Sequence, residues 1–519
     1  MKKGEFMAKY DDLSRENLIK IIKEQEEKIA HLSLVIAMKN ARTFKPKAET
    51  IDPEEHNLFN YNEAEALSST TLDSELESIK TSHPKKTKSK NHSEIDFEKF
   101  VTNTIIHDPS KGSTGTFEKV SQDVTYKVHV SLDVKVDKHV YLTLKQVETD
   151  ALITEPRDFC FNNSVATPSL VSYIANEKYL MGTPLYRQES AFLSTGLPLS
   201  RVNLSNYLIK GAAVLYPMYV YLKHLLIHNQ NKILHADETT LKVINVSGKQ
   251  SKDKCYMWLY TTSMTDLPIY LYEYRYSRSG AWPKAFLKDF KGYLVVDDYA
   301  GYNHIPNVSL QKCFVHARRK FFDIFKANND PKIKTIINLI DDIFNAERLF
   351  REDKLSANDI HLRRNKAEYR SKVEAYFNHL ASLNYSPTSV TGKAVHYSLK
   401  NKVELMTYLS DGHIPIDNNL AERGIKPFVI NRKNFLFSNT EKGAEASSIY
   451  MSIIQTAKTN GLDTNKYLAY LFENLYKIQI LKSDYQDPIK LNEKFKLMAH
   501  LLPWDDNIKT QFKMKETSR

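Results

Sequence analysis

Between residues 13 and 41 apolar positions recur at threes and fours: Leu18, Ile22, Ile29, Leu32 and Ile36 form one stripe, interrupted by the polar Gln25. This periodicity predicts a single helix over 1–42, and its stripe fits either a short coiled coil or a helix packed on its own domain. From 43 to 96 the period is lost and the chain turns polar and charged, ending in HPKKTKSKNHS at 83–93. That stretch reads as a flexible linker whose lysines either touch a DNA backbone or are simply solvated. Strict alternation follows. Tyr126, Val128, Val130, Leu132, Val134 and Val136 share one face, and Val140, Leu142 and Leu144 resume the period after Asp137-Lys138. A β-hairpin within a small domain over 97–165 is expected.

Residues 184–219, PLYRQESAFLSTGLPLSRVNLSNYLIKGAAVLYPMY, read as a helix, a break at Gly196–Pro198, an N-capping Ser200 and a second helix from about 201. The helical region 166–228 fits a helix-turn-helix, which would turn Arg201, Asn203 and Asn206 towards a DNA groove, or an ordinary helical hairpin. Between 233 and 298, ILHADETTLKVI, CYMWLYTTSM and LPIYLYEYRYS read as three successive strands. The amphipathic AWPKAFLKDF and the apolar GYLVVDD then give a helix and a fourth strand, the order that opens an RNase H-like domain over 229–327. After KCFVHARRKFFDIF the chain is helical to about 410, with Ile333, Ile336, Ile337 and Ile340 on one face. We read 328–412 as a helical insertion, 413–445 as the second part of the core and 446–519 as a C-terminal helical region. Within the last, Gly461 ends one helix and Asp463 or Thr464 caps the next. The fold class expected is α/β.

Composition narrows the function classes. The chain has 519 residues, 42% of them hydrophobic and 26% charged, which excludes a mainly disordered or fibrous protein and calls for more than one domain. No apolar run is long enough to span a membrane, and the polar N-terminus MKKGEFMAKYDDLSREN lacks a signal-peptide core, so a cytoplasmic location is expected. Cys160, Cys255 and Cys313 lie far apart with no C-x-x-C, so neither a disulfide framework nor a thiolate zinc site is expected. Lys and Arg number 73 against 62 Asp and Glu, a formal charge of +11 that suits a polyanionic partner such as nucleic acid.

Position selects three of those acids. Asp237 lies in the first predicted strand, Asp297 ends the fourth, and Glu422 sits on a short predicted helix after the capping Asp417. First and fourth strands are neighbours in an RNase H-like sheet, so the three carboxylates would converge and need cations. Hard oxygen ligands select two Mg²⁺ or Mn²⁺. Two ions about 4 Å apart would support phosphodiester hydrolysis or transesterification. Strand alternation turns Glu238 and Asp298 to the other face as supporting or solvated residues. Asn418, one helical turn before Glu422, would reach a carboxylate or a phosphate, while Arg423 points aside. His316, Arg318, Arg319, Lys320, Lys426, Arg432 and Lys433 would gather cations around the same site for a DNA backbone, or each be solvated.

HADET (235–239), DDYAGY (297–302), FVHARRKFFD (314–323) and DNNLAERGIKPFVINRKNFLFS (417–438) resemble the signature blocks of DDE transposases of the insertion sequence 66 family. LYRQES, the segment from IIQTAKTNGLD to KYL, and LLPW match in the same order, so the likeness runs from about 165 to 504. The resemblance implies a metal-dependent bacterial enzyme, at times nucleoid-bound, that recognises the terminal inverted repeats of its element, cleaves there and joins the ends to target DNA. It also implies a homo-oligomer on double-stranded DNA and companion proteins of the element. Carried over, Asp237, Asp297 and Glu422 are its catalytic, metal-holding triad. The chain departs from the pattern where family members carry a cysteine-rich zinc motif: here only Cys160 is present, and no zinc is expected. Asp298 and Gly424 stand where Gly and Ala are usual, and Asn431 where Gly is usual. Gly424 should weaken its helix by roughly 1 kcal/mol relative to Ala. A non-catalytic DNA-binding descendant and a nuclease without strand transfer are the alternatives.

Overall fold

A computed structural model describes residues 14–43, 134–139, 143–145, 152–154, 160–161, 164–247, 254–478 and 480–514. The N-terminal helix is α1, Arg15–Thr43. It lies against two helices of the 314–400 region, while Ile22, Ile29, Leu32 and Ile36 of its stripe are exposed. Residues 46–141 divide off from the rest, and of these 134–139 are described, without a regular element. The remainder of the first predicted strand of the hairpin lies outside the described residues. Of its second strand, Thr143–Lys145 (β1) pairs antiparallel with Leu152–Thr154 (β2).

Three helices lead into the sheet: α2 (Pro168–Tyr179), α3 (Leu185–Ser194) and α4 (Arg201–Ile227). Gly196 takes φ +84° in the turn between α3 and α4, a left-handed backbone that glycine adopts without steric cost. Ser200 then caps α4 by accepting from the Asn203 N–H, as the sequence predicts.

The central sheet is built from β3 (Ile233–Leu241), β5 (Cys255–Thr262), β6 (Tyr270–Arg275), β7 (Gly292–Val296) and β8 (Val308–Lys312), in the order β6-β5-β3-β7-β8. The first three strands are antiparallel; β7 and β8 run parallel to β3. The short α5 (Ala281–Phe286) covers one face, where Phe286 stacks on Tyr260 at 3.8 Å. Strand β4 (Val243–Asn245) pairs outside this sheet with β9 (Ser438–Thr440).

After β8 come α6 (Phe314–Asn328), α7 (Pro331–Glu352), α8 (Ala357–Arg364), α9 (Ala367–Ser382), α10 (Val390–Lys400) and α11 (Lys402–Leu405). All four isoleucines predicted on one face of α7 are fully buried. Next, α12 (Asn419–Phe435) lies across β3 and β5, and α13 (Glu441–Thr459) runs beside β6. The Tyr270 and Tyr272 N–H groups on the outer edge of β6 donate to Thr456 Oγ1 and Ser452 Oγ at 3.0 and 2.8 Å. Helix α13 thereby seals an edge that would otherwise pair with another strand. Helices α14 (Thr464–Leu475), α15 (Pro488–Met498) and α16 (Asp506–Phe512) close the chain. Gly461, at φ +78°, ends α13, and Asp463 caps α14.

Strand β8 has no counterpart in the sequence reading. Its last two residues, Gln311 and Lys312, are polar yet buried, which hides the apolar signature of an inner strand. The helix bearing Glu422 is also longer than predicted, at 17 residues, and its N-cap position is Asn418, one residue beyond the predicted Asp417.

Candidate active site

Asp237 lies on β3, Asp297 just past the end of β7 and Glu422 on α12, and the carboxylates of Asp297 and Glu422 are near enough to act on that of Asp237. The parallel register pairs Ile233 with Tyr293, Leu234 with Leu294 and His235 with Val295, so two residues further Asp237 is level with Asp297. Leu259, the cross-strand partner of Asp237, faces Gly424 of α12, which puts Asp237 on the side that α12 covers. Glu422 sits in the first turn of that helix. Two backbone contacts fix the approach: Cys313 N–H donates to Val296 O at 3.0 Å, and Phe314 N–H to Ile416 O at 3.1 Å. They bring the N-termini of α6 and α12 side by side at the ends of the strands, where partial positive charge favours anions.

Electrostatics sets this place apart. Burial, followed by the carboxylates of Glu238, Asp297 and Glu422, pushes the Asp237 carboxyl up to about 8, against a hydrogen bond from the Glu238 N–H at 2.8 Å. One oxygen of Asp297 accepts from the Tyr299 N–H at 2.8 Å. Glu422 Oε1 is buried with no hydrogen-bond partner among the described residues, 3.7 Å from His316 Nε2, and Arg319 Nη2 stands 4.0 Å from Oε2. An orphaned carboxylate oxygen and a proton-retaining carboxyl are oxygen donors of the kind that suit hard divalent cations.

Glu238 is a supporting residue. Its side chain is 1% exposed and accepts from Arg278 Nε and Nη2 at 2.8 and 2.5 Å and from the Tyr302 hydroxyl at 2.5 Å. The Arg278 guanidinium in turn lies over the Tyr299 ring at 3.9 Å. These bonds tie the first acidic strand to the loop that follows Asp297. Asp298 is half-exposed and accepts from the buried Lys312 Nζ at 2.8 Å.

Several residues expected to face DNA are held elsewhere. Asn418 is buried, hydrogen-bonds His235 Nδ1 at 3.0 Å and donates to Ala236 O at 2.9 Å, so it fastens α12 to β3 and reaches neither a carboxylate nor a phosphate. Arg318 turns to Asp341 of α7, with contacts of 2.6 and 3.1 Å. Lys320 lies over the Tyr397 ring at 4.3 Å. Arg432 donates to Thr239 Oγ1 at 3.0 Å, Thr240 Oγ1 at 2.8 Å and Thr240 O, clamping α12 to the sheet. His316 and Arg319 stand beside Glu422; Arg423, Lys426 and Lys433 are exposed along α12. Arg201, Asn203 and Asn206 are exposed at the start of α4.

One grouping was missed in the sequence. Cys313, His316 and Glu422 offer ligand atoms all within 4.8 Å of one another. The signal was C-x-x-H across the start of α6, one helical turn apart. Burial, then Asp417, pushes the Cys313 thiol up to about 12, opposed by N–H groups of Asn418 and His316. His316 Nδ1 is buried without a hydrogen-bond partner among the described residues, and burial lowers the tendency of this imidazole to protonate.

No described helix is long and apolar enough to cross a membrane. The model of the transposase IS66 family matches residues 163–446, which include all three carboxylates. Among curated relatives, an uncharacterized Sinorhizobium fredii protein, y4jD, is 29% identical over 332 residues, covering 60% of this chain and 63% of that one. Another from the same organism, y4qI, is 28% identical over 323 residues, 59% of either chain. The chain thus spans about three fifths of the length of the relatives it matches. With the family model covering more than half of its residues, the chain belongs to the transposase IS66 family.

Proposed function

We propose that the chain is a DDE transposase that binds the terminal inverted repeats of an insertion sequence, cleaves the DNA there and transfers the strands to target DNA. The observation that carries this reading is the alignment of Asp237 with Asp297 beneath Glu422 in a chain of this family. A sheet ordered β6-β5-β3-β7-β8, antiparallel on one side and parallel on the other, supports an RNase H-like core formed by 229–327 and 413–445. The helices of 328–412 are then an insertion, and 166–228 a helix-turn-helix-like DNA-binding region.

Asp237, Asp297 and Glu422 would hold two Mg²⁺ or Mn²⁺. When bound, such ions polarise the scissile phosphate and make a water or 3′-hydroxyl nucleophilic near neutral pH. Asp237 must lose its proton to bind them, so metal binding and proton release are coupled. Glu238, Arg278 and Tyr302 hold β3 against the loop after Asp297, which limits independent movement of the two aspartates. Arg319, Arg423, Lys426 and Lys433 supply the charge that a phosphate backbone needs; Arg201, Asn203 and Asn206 serve end recognition. The assembly is proposed as a homo-oligomer on double-stranded DNA, working in the bacterial cytoplasm with companion proteins of its element.

The test is cleavage and binding of an end-containing duplex on the same preparations. Cleavage should need Mg²⁺ or Mn²⁺, fail with Ca²⁺ or EDTA, and fall to background in D237A, D297A and E422A while end binding persists or tightens. Binding by the wild type without cleavage in any divalent metal would replace this reading with that of a DNA-binding protein.

A further inference from the structure

We propose that Cys313, His316 and Glu422 form a separate site for a borderline-soft divalent cation of the Zn²⁺ class, which when filled withdraws Glu422 from the Asp237–Asp297 pair. This departs from the expectation of no zinc, which rested on the absence of C-x-x-C and on the lone Cys160 of the 97–165 module.

The geometry comes from two helix starts. Cys313 occupies the N-cap position of α6, and His316 lies in its first turn. Glu422 comes from the first turn of α12, and the Asn418 N–H, at the cap of that helix, donates to Cys313 Sγ at 3.2 Å. Three ligand atoms of different hardness therefore share a volume 4.8 Å across. Thiolate, imidazole and carboxylate together match Zn²⁺ or Co²⁺ and not Mg²⁺, which avoids sulfur.

Two atoms in this group lack partners. Glu422 Oε1 and His316 Nδ1 are both buried without a hydrogen bond among the described residues. Buried polar atoms left unpaired are costly, and a cation bound here would satisfy the carboxylate oxygen. Access is from the His316–Glu422 side, whose side chains are 28% and 32% exposed, whereas Cys313 is fully buried behind them. Binding requires the thiol to release its proton to solvent. Without the ion, burial and Asp417 hold the thiol protonated, only partly opposed by two N–H groups on the sulfur, so the positive charge of the ion must drive the loss of the proton. Three protein ligands leave a position for water, so the site exchanges its ion and is unlike a closed structural zinc centre.

The first half of the proposal stands on geometry alone; the withdrawal of Glu422 rests on the reading of that residue as catalytic. The two are separated by using Co²⁺ as an optical probe. Co²⁺ added to the full chain should produce a thiolate-to-metal charge-transfer band, displaced by Zn²⁺. C313S should abolish the band, and H316A should weaken Co²⁺ binding by on the order of 100-fold. D237N should leave the band in place, since that residue belongs to the hard-ion site. Thermal melts of each variant control for folding, and the wild-type spectrum decides even if a variant fails to fold. Absence of a band in the wild type, or its persistence in a folded C313S through Cys160 or Cys255, overturns the site.

For the second half, each protein is assayed in saturating Mg²⁺ with and without Zn²⁺ and compared with its own Mg²⁺ activity. Zn²⁺ should inhibit the wild type at least ten times more strongly than C313S. Equal inhibition of both overturns the withdrawal of Glu422 but not the site. Absence of cleavage in Mg²⁺ alone counts against the transposase reading, and the cobalt spectrum still decides the site.

Discussion

Two clusters in this molecule bury charge, and they resolve it in opposite ways. In the helical region after the sheet, Glu347 and Arg364 are 5% and 3% exposed and joined by two contacts of 2.9 and 2.7 Å. Arg364 Nη1 also donates to the carbonyls of Tyr408, Asp411 and Ile414, and the Tyr369 hydroxyl donates to Glu347 at 2.6 Å. Charge and hydrogen bonds are balanced within the protein. At the strand ends, the carboxylates of Asp297 and Glu422 act on that of Asp237, with His316 and Arg319 only at the margin of ion-pair distance from Glu422. The first cluster holds the loop that leads through Ile416 into α12; the second has counter-charge only at its margin, which is what the proposed cations would supply. A buried group left frustrated by its own fold, beside one that is not, marks where function resides.

The sharpest way to break that comparison is to neutralise one member of each. R364M leaves Glu347 buried without a counter-charge, and loss of one partner of such a pair costs about 3–5 kcal/mol. The chemical-denaturation midpoint should fall accordingly, and DNA cleavage should fall with it as α12 loosens. D237N should leave the midpoint unchanged or raise it, because it removes a carboxyl that the fold keeps protonated at a pH where the unfolded chain ionises it. A drop of similar size in both variants would show that the acidic cluster is structural.

A titration sharpens the same contrast. In the metal-free chain Asp237 holds its proton up to about pH 8, while in the unfolded chain it ionises near 3.8. The folded state therefore binds more protons across this window, and stability falls as pH rises from about 4 through 8. Water reaches the cluster beside Glu422, which limits the effect to roughly 2 kcal/mol. Between about pH 6.5 and 8 denaturation midpoints should slope downward in the wild type, flatten in D237N and flatten in Mg²⁺. His235 acts in the opposite sense: burial lowers it from 6.5 to about 4, so its contribution is present above 6.5 and lost as pH falls towards 4. D237N should expose that remaining acid lability.

What was legible in the sequence follows from how each residue is used. Strands β3, β5, β6 and β7 carry alternating or continuous apolar residues, and Ser200, Gly461 and Asp463 punctuate helices as their chemistry dictates. The positions of Asp237, Asp297 and Glu422 could be read because strand ends and a helix start were identifiable around them. Gln311, Lys312, Asn418 and Arg432 misled, since polar residues spent on internal bonds look in sequence like residues meant for solvent or DNA. The Cys313 grouping was missed because two of its ligands lie more than a hundred residues from the third, and only packing unites them.

The smallest effect concerns how closely α12 approaches the sheet. Helix propensity alone says that Gly424→Ala should stabilise by roughly 1 kcal/mol. The structure reverses the sign. A Cβ at 424 would lie 2.7 Å from Leu259 Cδ2 and 2.8 Å from Tyr270 Cε1, and Leu259 is fully buried while Tyr270 packs against the core. The Gly424 carbonyl also accepts from the buried Tyr272 hydroxyl, so the helix cannot shift without straining that bond. Overpacking of this kind costs about 1–3 kcal/mol, which outweighs the propensity gain and leaves a net loss near 1 kcal/mol. Gly443 in the first turn of α13 is the matched control. A Cβ there meets only Thr440 Oγ1 at 3.5 Å, so G443A should hold or slightly raise stability. Because Glu422 lies two residues before Gly424, G424A should also reduce cleavage more than its stability loss explains, whereas G443A should not. If G424A is the more stable of the two, α12 does not rest on β5 as closely as the site requires.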